Sequence, residues 1–229
     1  MAVPGGPSGI EVVTVIAKLP ASRTTATAWT KCNNARPRFH ERRPARRSGL
    51  MTVATGKIWS NGLDLDWLMG NLGKAAEYTA QVQELFARTL STTVPTIAVL
   101  QGHTFAAGAL LALAHDVRVM RSDRGYFCLP EVDISIPFAP GMSALVQSRL
   151  SHATAHEAMT TGRRYGGGEA LDAGIVSAAL PLDELVPHAT EWARSQASKA
   201  GPTLRTIRTT MYRQAIRLLG EPVVLDLPT

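Results

Sequence analysis

Residues 106–115 read AAGALLALAH, a helix-length run that is small and apolar on every side. A helix without a polar stripe has no face to offer water, so other elements must enclose it. Directly before it, residues 96–100 (TIAVL) follow Pro95 and read as a β-strand. Such a pair needs a layered domain around it, and the neighbouring text supplies the layers. Residues 50–55 (LMTVAT) read as a buried strand ended by Gly56, followed by a turn at Ser60-Asn61-Gly62 and an acidic helix start at Asp64-Leu65-Asp66. Residues 78–90 place Val82, Leu85, Phe86 and Leu90 on one helical face. A short strand at 117–120 and a loop through Pro130, Pro137 and Pro140 precede helices over 142–150 and 152–160. A glycine-rich turn at 166–168 before a helix at Glu169, a short strand near Ile175 and C-terminal helices complete the chain. Strands alternating with helices give an α/β fold.

Charge divides the chain in two. The 229 residues carry a formal charge of +6. Residues 1–50 hold nine basic residues (Lys18, Arg23, Lys31, Arg36, Arg38, Arg42, Arg43, Arg46 and Arg47) against Glu11 and Glu41, a net of +7. The remaining residues, 51–229, are therefore at −1. Only residues 10–19 (IEVVTVIAKL) of the basic part read as a strand, and the Arg/Pro run 36–47 follows neither a strand nor a helix period. Three divisions follow: a basic segment 1–49, poorly structured or non-native; a core over 50–185; and a C-terminal helical region over 186–229. A basic, acid-poor leader also fits a transit peptide, but it lacks the amphipathic pattern of one. The arm has no aromatic interleaving beyond Trp29 and Phe39, which argues against a nucleic-acid partner. No apolar run reaches the ~18 residues of a membrane-spanning helix, so no membrane partner is expected.

Two segments present backbone amides in positions where chemistry can use them. Trp59-Ser60-Asn61-Gly62-Leu63-Asp64 is a strand-to-helix turn, and Gly102-His103-Thr104-Phe105-Ala106-Ala107-Gly108 runs from a strand end into the apolar helix. Free N–H groups at such turns, helped by the helix dipole, bind an anion or a developing oxyanion. Tight helix packing alone also explains Ala106-Ala107-Gly108. Other chemistries find no support. Cys32 and Cys128 lack metal-ligand spacing, no Gly-x-Ser-x-Gly occurs, and Gly166–Gly168 lacks the Lys-Ser/Thr of a phosphate loop.

The order of the segments WSNGLDL, VPTIAVLQGHTFAAG, ALAHDVRVM, YFCLPE and TGRRYGGGEALDAGIVSAAL resembles the crotonase (enoyl-CoA hydratase/isomerase) superfamily over about residues 50–185. The resemblance implies a spiral ββα core with C-terminal helices, and an acyl-CoA thioester as substrate. It also implies no cofactor beyond the coenzyme A that the substrate carries, no metal, and a homotrimer or hexamer. By position, the two oxyanion-hole amides fall on Leu63 and Ala107. Because these donors are main-chain, their side chains are free to vary. Lys57, Trp59, Asn61, Gly62, Phe105, Gly108 and Leu110 fall on substrate-binding positions. The family's hydratases use two glutamates. Here one of those positions is Leu110 and the other is Glu131.

A single glutamate facing an apolar partner is the pattern of Δ3,Δ2-enoyl-CoA isomerases. One carboxylate suffices to take a proton from C2 and return it to C4, whereas hydration has to manage a water as well. An apolar wall at Leu110 would raise the Glu131 pKa and exclude water. The expected activity is therefore conversion of 3-enoyl-CoA to 2-trans-enoyl-CoA in fatty-acid β-oxidation. Hydration, another acyl-CoA reaction, or a catalytically degenerate relative remain the alternatives. Glu131 could instead pair with an arginine near Arg124, and His103 and His115-Asp116 read as structural. The row Arg205, Arg208, Arg213 and Arg217 reads as a solvated helix face, with CoA phosphates as the second reading. The chain ends Leu227-Pro228-Thr229 rather than in a peroxisomal tripeptide, which favours a cytoplasmic enzyme. Residues 20–49 show none of the family's opening pattern, so its first βα unit is expected to be altered or missing.

Overall fold

The computed structural model describes residues 11–17, as backbone, and residues 48–222. The basic run 36–47, Cys32 and the chain's last residues lie outside them. Among the described residues, eight strands form two parallel sheets. The larger takes the order β1 (Glu11–Ala17), β2 (Ser48–Ala54), β4 (Thr96–Leu100), β6 (Val117–Arg121), β8 (Ala178–Leu180). The smaller takes the order β3 (Ile58–Ser60), β5 (His103–Phe105), β7 (Phe127–Cys128). The expected strand at 10–19 is present as β1, paired in register with β2 from Glu11↔Ser48 to Ala17↔Ala54. The segment that would carry the rest of the first βα unit lies outside the described residues.

Period-two alternation sorts the larger sheet onto two cores. Met51, Ile97, Val99 and Val119 face Leu185, Ala189 and Ala193 of helix α7 (Leu182–Gln196). Ala98, Leu100 and Met120 point the other way, into the main core. There the apolar run forms α3 (Ala107–Ala114), buried as its composition demands and packed between α2 (Ala75–Leu90) and α4 (Pro140–Arg149). Of the expected Val82, Leu85, Phe86 and Leu90, the core takes Val82, Phe86 and Leu90 with Tyr78 added, while Leu85 is only half-buried. Helix α1 (Leu65–Gly70) starts where Asp64 accepts the Trp67 N–H at 3.0 Å. Helix α5 (His152–Thr161) is capped by Ser151, and α6 (Gly167–Asp172) starts at the second glycine of its turn, where Glu169 accepts the Gly166 N–H. Helices α8 (Pro202–Met211) and α9 (Arg213–Leu219) close the domain.

Two details differ from expectation. The short strand lies at Ala178–Leu180, while Ile175 is a fully buried turn residue whose N–H bonds back to Ala170 O. The expected arginine row is not uniform either. Arg208 is buried, donating to Thr92 O (2.6 Å), Val94 O (2.9 Å) and the Asp116 carboxylate, while Arg217 pairs with Glu221 on the surface. Arg208 therefore faces neither solvent nor a CoA phosphate.

The chain passes from the larger sheet to the smaller at a shared corner. After β4 it turns at Gly102, where a Cβ would run into the Lys57 carbonyl between β2 and β3. After β6 it turns at Gly125, where a Cβ would stand 2.8 Å from the Gly102 carbonyl carbon. Backbone packs directly on backbone there, which only residues without side chains allow.

Candidate active site

The three strands of the small sheet end side by side, with Ser60 opposite Thr104 and Phe105 opposite Cys128. Beyond those ends the chain reaches Leu63 from β3, Ala107 from β5 and Glu131 from β7. Crevices beyond the carboxyl ends of parallel strands are the usual ligand sites of α/β folds.

The two amide segments are in direct contact. Gly62 has φ +92°, and a Cβ on it would stand 2.9 Å from the Ala107 nitrogen and 3.0 Å from the Ala106 Cβ. The Gly62 N–H is held by Ser60 Oγ at 3.2 Å, and the Asp64 N–H by the Tyr78 hydroxyl at 3.3 Å. Gly108 closes the other side, since a Cβ there would lie 2.5 Å from the Ser60 Cβ. Ala106 adopts φ +49°, ψ −126°, unusual for a residue with a side chain, and its own N–H is tied to Cys128 O at 3.1 Å. That conformation starts α3 so that Ala107 is its first residue, where the N–H has no intrahelical acceptor. No described group accepts from the N–H of Leu63 or of Ala107. Two adjacent free donors, one on a helix N-terminus, can hold an oxyanion.

Glu131 sits in a single 3-10 turn, Pro130–Val132, begun by the proline. It is 8% exposed, and its Oε2 is buried with no hydrogen-bond partner. None of the ion pairs among the described residues includes it, so the alternative of a partner near Arg124 does not hold. Burial pushes its carboxyl up to about 7, against a smaller opposing pull from its own backbone N–H. A carboxyl held near neutrality, with one oxygen left unpartnered, can give or take a proton with little bias.

The remaining candidates fall in different places. Leu110 is fully buried, one helical turn beyond Ala107, among the main-core residues. Phe105 is half-buried between the His103 ring and the Arg164 guanidinium, and Asn61 is exposed. Trp59 is 2% exposed with its Nε1 unpartnered, so its ring belongs to the core rather than to a ligand surface. Lys57 is exposed and lines a cleft of about 460 Å³ with Gln101, Arg121, Arg124 and Leu185, a cleft that includes none of the other candidates. His103 stacks between Phe105 and Tyr126, consistent with its structural reading. Ser60 and Tyr78, which brace the first amide segment, carried no distinguishing signal in the sequence; Tyr78 reads only as the end of an amphipathic helix. Among the described residues no group of His, Cys, Asp and Glu is arranged to hold a metal, and no helix is long and apolar enough to cross a membrane.

A model of the enoyl-CoA hydratase/isomerase family matches residues 29–226, beginning upstream of Leu50. Enoyl-CoA delta isomerase 2, peroxisomal, of Arabidopsis thaliana is 38% identical over 186 residues, covering 76% of this chain and 78% of that protein. Enoyl-CoA delta isomerase 3 of the same plant is 36% identical over 181 residues, covering 75% and 76%. The solved structure of human mitochondrial delta3-delta2-enoyl-CoA isomerase superposes with a TM-score of 0.79 at 20% identity, over 95% of this chain and 84% of that one. A probable enoyl-CoA hydratase from Mycobacterium tuberculosis gives a TM-score of 0.78 at the same identity, over 95% of this chain and 91% of that one, and so shares the fold. With its paired amides and its two parallel sheets, the chain belongs to the enoyl-CoA hydratase/isomerase family.

Proposed function

We propose that this protein isomerises 3-enoyl-CoA thioesters to 2-trans-enoyl-CoA. The observation that carries the reading is the buried Glu131 carboxyl with its Oε2 unpartnered, and leucine at the position where a second glutamate would stand. The substrate's thioester oxygen takes the N–H groups of Leu63 and Ala107. Glu131 as carboxylate removes a proton from C2, and the electrons move into the carbonyl as a dienolate whose oxygen charge the two amides hold. The same carboxyl, now protonated, delivers that proton to C4 as the double bond settles between C2 and C3. No atom is gained or lost, and no second acid is needed. Each amide donor is typically worth ~3–4 kcal/mol of transition-state stabilisation. A pKa near 7 suits a group that must both accept and release the proton. The curated relatives named as delta isomerases support this reading over hydration.

The test is incubation with trans-3-enoyl-CoA, following the absorbance of the conjugated 2-enoyl thioester, with crotonyl-CoA hydration run in parallel. Isomerisation that disappears in Glu131→Gln is the expected result. Hydration without isomerisation would overturn the assignment.

A further inference from the structure

We propose that Arg149, on helix α4, is a positioning residue for the reaction at the far end of helix α3. The proposal rests on the isomerase reading for its kinetic consequence, and on geometry for the rest. Helix α3 carries only Ala, Gly and Leu side chains, so along its length nothing but van der Waals contact fixes how far it slides on its axis. Its C-terminal end is different. Arg149 Nε donates to Leu113 O at 2.8 Å, and its Nη2 donates to His115 O (2.7 Å) and Asp116 O (2.9 Å). Other carbonyls near that end are also taken. The His115 ring bonds Leu111 O at 2.8 Å, the His115 N–H donates to Ala112 O at 3.1 Å, and Arg118 Nη1 donates to His115 O at 3.1 Å.

Arg149 is itself held from the other side. Its Nη1 donates to the Tyr212 hydroxyl, and the guanidinium lies 5.2 Å from the Tyr212 ring centroid. Tyr212 joins α8 to α9, and Arg208 one turn earlier grips Asp116. The C-terminal helices are thus bolted to the trailing end of α3 by directional bonds. At the leading end, Ala106 keeps an unfavourable backbone conformation, which persists only where the surroundings over-determine it. A rod of eight residues, ~12 Å long, transmits an axial shift undiminished from Leu113 to the Ala107 N–H. The arginine also sets positive charge against the negative end of the helix dipole, leaving the positive end at the amide uncancelled.

Arg149→Met and Arg149→Lys test this. Lysine keeps the charge but cannot grip several carbonyls with one fork. Arg149→Met is expected to lower kcat roughly tenfold with KM nearly unchanged, since displaced donors weaken the transition state more than the ground state. Arg149→Lys is expected to recover only part of the loss. A second readout does not depend on turnover: the near-ultraviolet enolate band of bound acetoacetyl-CoA, titrated with pH, reports how well the two amides hold an oxyanion. The enolate should form at higher pH in both variants, by about one unit for Arg149→Met, matching the tenfold change. If the unsubstituted protein fails to isomerise but the enolate shift is seen, the positioning role stands and the reaction assignment falls. Should Arg149→Met not fold, Arg149→Lys and Tyr212→Phe carry the same comparison. Variants with lowered Tm but with kcat and the enolate titration of the parent would overturn the proposal, leaving Arg149 a structural residue only.

Discussion

A Cβ added to Gly62 would stand 2.9 Å from the Ala107 nitrogen, so the two amide-bearing segments meet with no room for a methyl group between them. Gly62 also has φ +92°, where an L side chain costs ~1–2 kcal/mol. Gly62→Ala should therefore leave the fold intact while parting the amides. The expected loss is about 100-fold in kcat, read with trans-3-enoyl-CoA at saturating substrate. Full activity in a folded Gly62→Ala protein would show that the two donors do not act together.

Glu131 should trade stability for reactivity. Its folded-state pKa of about 7 lies above the ordinary carboxyl value, so the folded state holds the proton more tightly than the unfolded chain. The stability this contributes is complete at low pH and is lost as pH rises towards 7, a change on the order of 3 kcal/mol. Glu131→Gln keeps the neutral form at all pH values. It should raise Tm at pH 8, lose that advantage near pH 4, and reduce kcat by a factor on the order of 10³. For the parent, kcat/KM should climb through pH 7 and fall roughly tenfold per unit below it.

His115 works in the opposite direction. Burial lowers its pKa to about 4, so between the ordinary histidine value and 4 the unfolded chain binds the extra proton. Stability from His115 is therefore present at neutral pH and lost as pH falls through that range, again on the order of 3 kcal/mol. Glu131 offsets this loss over much of the same interval. Denaturant titrations at pH 7.5 and 5 should consequently show a steeper acid loss in Glu131→Gln than in the parent. Parallel curves would mean that the Glu131 carboxyl is not raised.

Arg208 and Arg205 belong to the same helix but should behave differently. Arg208→Met removes the guanidinium from the Asp116 carboxylate, which keeps the Thr96 N–H and hydroxyl, and leaves the carbonyls of Thr92 and Val94 without that donor, a loss of about 1–3 kcal/mol by urea unfolding. Arg205→Ala, at an exposed position, should stay within about 0.5 kcal/mol. Equal effects would return the row to a solvated helix face.

The sequence is most informative where a residue's role depends on its immediate neighbours. The unbroken apolar run fixes α3 as an enclosed helix, and the turn Ser60-Asn61-Gly62 locates the first amide. Glu131 is reached through the resemblance carried by YFCLPE. What the sequence does not show depends on residues far apart in the chain. Arg208 meets Asp116 across 92 positions, and Arg149 meets Tyr212 across 63. An arginine on a helix reads as a solvated side chain until the carbonyls it will reach are folded into place. The positive φ of Ala106 is hidden for a similar reason, since nothing in alanine itself signals a conformation imposed from both sides. The separate small sheet is equally silent, because three-residue strands such as β3 and β5 are too short to show a period.

The glycine corner has a consequence for what the molecule can tolerate in length. Lys57, Gly102 and Gly125 cross backbone on backbone, and each is followed within a few residues by a strand that ends two or three residues before one of the three reactive positions. One residue inserted between the corner and a strand end would move that strand by ~3.3 Å and turn its side chains to the opposite face. Insertions at these crossings should therefore abolish function while point changes nearby are absorbed. The spacing from corner to site acts as a gauge, and the chain tolerates added length only beyond it.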